Sequence, residues 1–268
     1  MRTQLHFLLL FLSFSVFSCK DEEEPMELIE PKKLRISTIS MVDEMSDTVL
    51  TTHSFVFNRA GQLDEDSSVN YRYNSNKLLV SMLLKGGNYQ EDYTYDATGR
   101  MIRVNFSERE KPNQIPYGGF WLFYDSSGRI NRLEGAVAGR KQFAIILSYD
   151  LAGNVTKEEG FELSPSGERS PRLYLIEISY DSKTNPFKAL GSPYSRFYMP
   201  SQALQHNLHY YSSSNNPVKA SYTIYDIDDP GQVQQAFNES FTYKYNELGF
   251  PVEVRTTSSL FRLEYSLY

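Results

Sequence analysis

The chain has little of what most catalytic and metal centres are built from. Its 268 residues include one cysteine, Cys19, and four histidines. A single cysteine excludes an intrachain disulfide and a thiolate metal cluster. His206 and His209 are the only close histidine pair, and nothing nearby in sequence supplies further ligands, so no metal is expected and no cofactor is called for. Positive charge is also short: 27 Lys and Arg stand against 33 Asp and Glu, a formal net charge of −6. That balance leaves no basic field for nucleic acid. No segment carries a sustained helical apolar stripe. Gly86-Gly87-Asn88 lacks the lysine and helix of a phosphate loop. Asp226 to Gly231 opens like a calcium loop, but Phe237 stands where the closing Glu belongs.

What the chain does have is aromatic side chains, 20 Tyr and 17 Phe, residue types that favour half-buried pleated surfaces. Its first residues also read as a leader. Met1 to Gln4 carries one positive charge, and Leu5 to Val16 is almost wholly apolar. The run is too short to cross a bilayer comfortably and fits the core of a secretory signal. It closes on Val16-Phe17-Ser18-Cys19, which resembles a bacterial lipobox. The resemblance implies cleavage before Cys19 and acylation there; an ordinary signal with an incidental cysteine is the alternative. Lys20-Asp21-Glu22-Glu23-Glu24-Pro25 follows, a solvated acidic tether by composition. It is similar to the export tag of Bacteroidetes surface lipoproteins, which implies an outer-membrane protein facing the cell exterior. The expected division is a signal over 1–18, a lipidated tether over 19–32 and one domain over 33–268.

Within that domain one pattern recurs: an aromatic or aliphatic residue, a spacer, an aromatic, Asp or Asn, two free residues, Gly, a polar residue and an apolar one. Clear copies centre on Asn58 and Gly61, Asp96 and Gly99, Asp125 and Gly128, Asp150 and Gly153, and Asn246 and Gly249. Worn copies lie at Tyr71 to Leu78, where Asn76 is the expected left-handed residue, at Ile178 to Phe187, and at Tyr211 to Val218. Each copy has a mechanical explanation. Residues two apart share one face of a strand, the Asp or Asn side chain accepts backbone N–H bonds from the turn, and Gly takes positive φ. These residues are therefore read as hairpin tips and not as acids or ligands. Uneven spacing between copies argues against a solenoid of fixed period. The fold expected is all-β, an antiparallel meander of repeated hairpins curled into a barrel-like or strongly curved sheet.

Tyr95 to Arg100 and Tyr124 to Arg129 match Tyr-Asp-x-x-Gly-Arg, the signature of the YD repeats of RHS, teneurin and insecticidal-toxin shells. Tyr149 to Gly153 matches up to the Gly, with Asn154 in place of Arg. Together with the leader, the chain resembles Bacteroidetes lipoproteins described as having a porin-like fold. The motif is structural, so the resemblance implies fold more than activity.

For function, two readings of different class remain. The first is a non-enzymatic cell-surface lipoprotein, held to the membrane by its lipid and binding a glycan or a surface protein through loops at one end of the sheet. The second is an envelope hydrolase acting on glycans, with a carboxylate pair assembled from different hairpins. Aromatics within the repeats are expected to line the core. Tyr117, Trp121, Tyr194, Phe197 and Tyr198 lie off the repeat pattern and are the candidate ligand contacts. A transmembrane barrel is the structural rival, encouraged by the alternation of Phe261, Leu263, Tyr265 and Leu267. Against it stand charges such as Arg132 and Lys157 along expected strands.

Overall fold

The computed structural model describes residues 34–108, 118–137, 140–190, 213–226, 228–229 and 231–267. Strands begin with β1 (Leu34–Val42), β2 (Val49–Phe57), β3 (Leu63–Asp66), β4 (Val69–Tyr73), β5 (Leu79–Leu84) and β6 (Tyr89–Tyr95). They continue as β7 (Met101–Glu108), β8 (Gly118–Tyr124), β9 (Ile130–Val137), β10 (Arg140–Tyr149), β11 (Val155–Leu163) and β12 (Arg169–Thr184). After a 3-10 turn at Pro186–Leu190 come β13 (Asn215–Tyr225), β14 (Val233–Ser240), β15 (Thr242–Tyr245), β16 (Pro251–Arg255) and β17 (Leu260–Leu267).

The turns show why the chain reverses where it does. At Asp96 the backbone amide donates to the Arg100 carbonyl over 2.9 Å, and the Gly99 amide returns a bond to the Asp96 carbonyl over 3.0 Å. Asp96 Oδ1 accepts the amides of Thr98 and Arg100, both at 2.9 Å. Gly99 has φ +82°, a conformation only glycine adopts without strain. The same backbone bonds recur at Asn58 with Gly61, Asp125 with Gly128, Asp150 with Gly153 and Asn246 with Gly249. Ser164 to Glu168 repeats them with Ser164 in the Asp position, a copy the sequence pattern passes over.

Two expectations need correction. The left-handed residue of the Asn74 turn is Lys77, with φ 62°, and not Asn76. Asn74 bonds Leu78 and Lys77 as Asp96 bonds Arg100 and Gly99, so this turn has full length and Lys77 occupies the glycine position. The worn copies after Ile178 and Tyr211 do not make two tips either. They fall on one connection, from β12 to β13, where the Asn216 amide donates to Asp181 Oδ1 over 3.1 Å. Asn185 is buried there and its side chain caps the Phe187 amide, seating Phe187 in the core.

Consecutive strands pair antiparallel from β1 to β14 and from β15 to β17, and β17 pairs back on β1. β14 and β15 lie on one line, because the Phe241 amide continues the β13 ladder by donating to Val218. The result is a single nearly closed, barrel-shaped antiparallel sheet. One side of each wall faces inward: Leu122, Leu133 and Ile145 pair across β8, β9 and β10 and are all buried. They belong to a continuous apolar core that includes Ile36, Phe55, Tyr93, Val104, Ile176, Phe187 and Phe261. The turns after Asn58, Asn74, Asp96, Asp125, Asp150 and Asn246 gather at one end of the barrel, and the β1–β2, β11–β12 and β13–β14 connections lie at the other.

β14 departs from this scheme. It pairs with β13 on one side only, and no ladder follows on its other side among the described residues. All of its residues are exposed except half-buried Glu239.

Candidate binding surface

The repeat residues form a structural ladder. Six tyrosines each donate a hydroxyl to the carbonyl two residues past the left-handed position of the preceding turn. Tyr73 bonds Leu63, Tyr95 bonds Leu79 and Tyr124 bonds Met101, over 2.7, 2.7 and 2.6 Å. Tyr149 bonds Ile130, Tyr180 bonds Val155 and Tyr265 bonds Pro251, over 2.7, 2.6 and 2.7 Å. The motif arginine completes the unit. Arg129 Nε donates to Asp125 Oδ2 over 2.9 Å while its guanidinium lies 4.8 Å over the ring of Tyr149. Arg100 does the same for Asp96 and Tyr124. Thr98 and Arg100 hydrogen bonds hold the Asp96 carboxyl well below its ordinary range, and the Arg129 amide leads the same effect at Asp125. These groups are committed to each other.

Asn154 replaces the motif Arg and makes a different junction. Its side-chain amide donates to Asp150 Oδ2 and to Asn215 Oδ1, and its own Oδ1 accepts the Asn215 amide. It thereby ties the β10–β11 turn to the start of β13. Tyr245, at the matching position of the last repeat, donates to Asp181 instead of to a carbonyl.

Inside the barrel, carboxylates are held by tyrosines. Glu91 is fully buried and accepts the hydroxyls of Tyr89 and Tyr93 over 2.7 and 2.6 Å. Burial outweighs those bonds and pushes Glu91 up to about 7. Glu158, also buried, accepts the Tyr174 hydroxyl over 2.9 Å, and burial pushes it up to about 7 as well. Tyr174 reaches that oxygen because its register partner is Gly160, and its ring lies where a Gly160 side chain would stand. Asp66 accepts Tyr71 over 2.7 Å and lies 3.6 Å from His53. Burial pushes Asp66 up, but bonds from His53, Tyr71 and the Ser68 amide hold it below its usual value.

A row of inward residues crosses from this interior to the open wall. Glu158 pairs with Ile176, Ile176 with Tyr222, and Tyr222 with Phe237. The last two rings stack with centroids 4.6 Å apart and 8° between planes. Ile176 is buried while Phe237 is 44% exposed. Beside them Glu239 accepts the Tyr222 hydroxyl over 3.3 Å, and burial raises its carboxyl. The combination is an aromatic pair, half-buried at Tyr222 and exposed at Phe237, with one carboxylate at its edge. Sequence reasoning missed it, because Tyr222 and Phe237 read as two more alternating strand aromatics. The one available signal was that Phe237 has only small and polar neighbours, from Gln234 to Ser240.

Of the sequence candidates, Trp121 is half-buried on the outward side of β8, opposite Arg103 and Glu134 in register. The Arg103 guanidinium lies 4.9 Å over its ring. It is not part of the inner platform. Tyr117, Tyr194, Phe197, Tyr198 and Cys19 lie outside the described residues, as do His206 and His209. Asp226 caps the amides of Asp228 and Asp229. No cluster of three metal-ligating side chains occurs among the described residues.

No protein-family model matches the sequence, and no curated protein matches it. Solved structures do. A porin-like protein from Bacteroides vulgatus is similar with a TM-score of 0.53 and 10% identity, covering 87% of this chain and 99% of that one. A porin-like protein from Bacteroides uniformis gives a TM-score of 0.54 and 11% identity over 89% and 98%. At such identities the likeness defines a shared fold, the nearly closed antiparallel barrel of those proteins.

Proposed function

We propose that the chain is a non-enzymatic, lipid-anchored protein of the bacterial cell surface that binds glycan chains on the inner face of β13 and β14. The Tyr222–Phe237 stack carries this reading. Among the described residues the other inward aromatics pack in the core, whereas Phe237, stacked on Tyr222, presents its ring to water. Paired rings of this kind gain by burying the C–H faces of sugars, and Glu239 and Gln235 on the same face offer hydrogen bonds to hydroxyls. The anchor rests on the lipobox-like Val16-Phe17-Ser18-Cys19, and surface display on the acidic run Asp21 to Glu24.

The barrel is better read as a scaffold than as a channel. Its inner face is an apolar core, and its outward side chains include Arg132, Lys157, Glu159 and Arg172, some of them ion-paired at the surface. A lipid-facing wall would reverse that distribution. The hydrolase reading has one point in its favour, the raised carboxyls of Glu91 and Glu158. Both are buried beneath tyrosines and away from any substrate, which weighs toward binding.

Binding of a polysaccharide panel by the unsubstituted chain and by Phe237→Ala tests the proposal. The variant should lose at least tenfold in affinity with its melting temperature unchanged, since an exposed platform ring contributes to binding and little to folding. Unchanged affinity would sink the reading. For the anchor, Cys19→Ala should release the protein from membranes. Neutralising Asp21 to Glu24 should leave it lipidated but facing the periplasm.

A further inference from the structure

β14 presents an unguarded edge. In an antiparallel ladder, pairs that exchange both backbone hydrogen bonds alternate with pairs that exchange none. The Phe241 amide bonds Val218, so the bonded pairs above it are Glu239 with Ala220, Phe237 with Tyr222 and Gln235 with Ile224. Ala236, Asn238 and Ser240 therefore direct their amides and carbonyls away from β13, toward a side where no ladder follows among the described residues. Natural edges are blunted by Lys, Pro, bulges or shortness. Val-Gln-Gln-Ala-Phe-Asn-Glu-Ser has neither Lys nor Pro and is eight residues long; its one bulge, at Gln234, lies near its start and leaves the ladder to β13 regular from Gln235 to Ser240.

We propose that this edge pairs antiparallel with the same edge of a second copy of the chain, about a twofold axis at Phe237. The register follows from the geometry. Outward-pointing groups must face one another, and the inner faces of both copies must share one side of the joined sheet. Centring on Phe237 meets both conditions. It bonds Ala236 to the partner's Asn238, and the reverse. On the inner face Phe237 meets the partner's Phe237, and Glu239 meets the partner's Gln235. A carboxylate thus faces an amide, and no like charges are opposed. Centring on Ala236 forms fewer bonded pairs and sets Glu239 against the partner's Val233, and centring on Asn238 sets the Glu239 carboxylate against the partner's Phe237 ring. The pairing does not depend on the glycan reading, although it would join two aromatic platforms into one row.

Cross-linking of the full chain in its membrane tests this. In the proposed register the two copies of residue 237 form a non-bonded pair, close enough for a disulfide. Residue 235 of one copy is offset from residue 235 of the other by four positions, about 13 Å. Phe237→Cys should therefore give an oxidised dimer on a non-reducing gel, and Gln235→Cys should not. The unsubstituted chain, whose one cysteine is Cys19, sets the background. Adding Ala236→Pro to Phe237→Cys deletes an outward amide and spares every bond to β13, so dimer yield should fall at least tenfold. Adding Ala236→Lys should lower it similarly without touching the backbone. The proposal is overturned if Phe237→Cys cross-links no more than Gln235→Cys, if both blocking changes leave the yield intact, or if species larger than dimers dominate.

Discussion

Gly99 and Gly160 are glycines for different reasons, and the difference predicts different costs. Nothing lies within 4 Å of a side chain built at Gly99, so Gly99→Ala is charged only for φ +82°. That should amount to about 1 kcal/mol in chemical denaturation. At Gly160 an added carbon would sit 1.9 Å from the Tyr174 ring. Gly160→Ala must displace that ring from Glu158, and overpacking of this kind costs about 1–3 kcal/mol. Equal losses at the two sites would contradict the account. The Gly99 position is legible in sequence, because turn chemistry is local. The Gly160 position is not, because its need arises from a register partner fourteen residues away.

At the scale of the element, each hairpin is bolted to the one before it. Tyr149 is stacked by Arg129, itself clamped by Asp125, and its hydroxyl closes on Ile130. Tyr149→Phe keeps the ring and loses the bond, which should cost about 1 kcal/mol. Tyr149→Ala also opens a cavity and should cost roughly 3–5 kcal/mol. If Tyr149→Phe proves neutral in denaturation, the ladder of hydroxyls is incidental. The repeats at Asp96, Asp125 and Asp150 were readable as turns from their residues alone, since the Asp and Gly act within five positions. The joining of Asp181 to Asn216 was not, because the pattern gives no sign that two worn copies meet in one connection. Lys77 shows the same limit: sequence preference pointed to Asn76, while the ladder on either side set the turn length.

At the scale of the molecule, the buried glutamates make stability depend on pH. Glu91 and Glu158 are raised to about 7 in the folded chain, against 4.5 for an ordinary glutamate. A raised carboxyl favours folding in its protonated form. The contribution is therefore full below about pH 4.5 and is lost as pH rises through about 7, at most about 3 kcal/mol per group. The turn aspartates at 96, 125 and 150 are shifted downward and act in the opposite sense, but only below the ordinary aspartate range. Melting temperature should consequently fall between pH 5 and 8. Glu91→Gln and Glu158→Gln should each flatten that fall; a profile that rises over this interval, or variants that leave it unchanged, would contradict the burial argument. The antiparallel sheet of repeated hairpins, barrel-like or strongly curved, was legible in the sequence; whether it closes was not. The open side of β14 was not legible either, because an edge is set by which strand follows, and among the described residues no ladder follows there.

The central claim is a division of labour: repeat tyrosines hold the barrel, and exposed Phe237, stacked on Tyr222, binds. Parallel titration of one bound polysaccharide and thermal melting of Tyr149→Phe and Phe237→Ala tests it most directly. The account predicts that Tyr149→Phe lowers the melting temperature and leaves affinity intact, while Phe237→Ala does the reverse. Loss of binding in Tyr149→Phe at unchanged stability, with Phe237→Ala still binding, would contradict it.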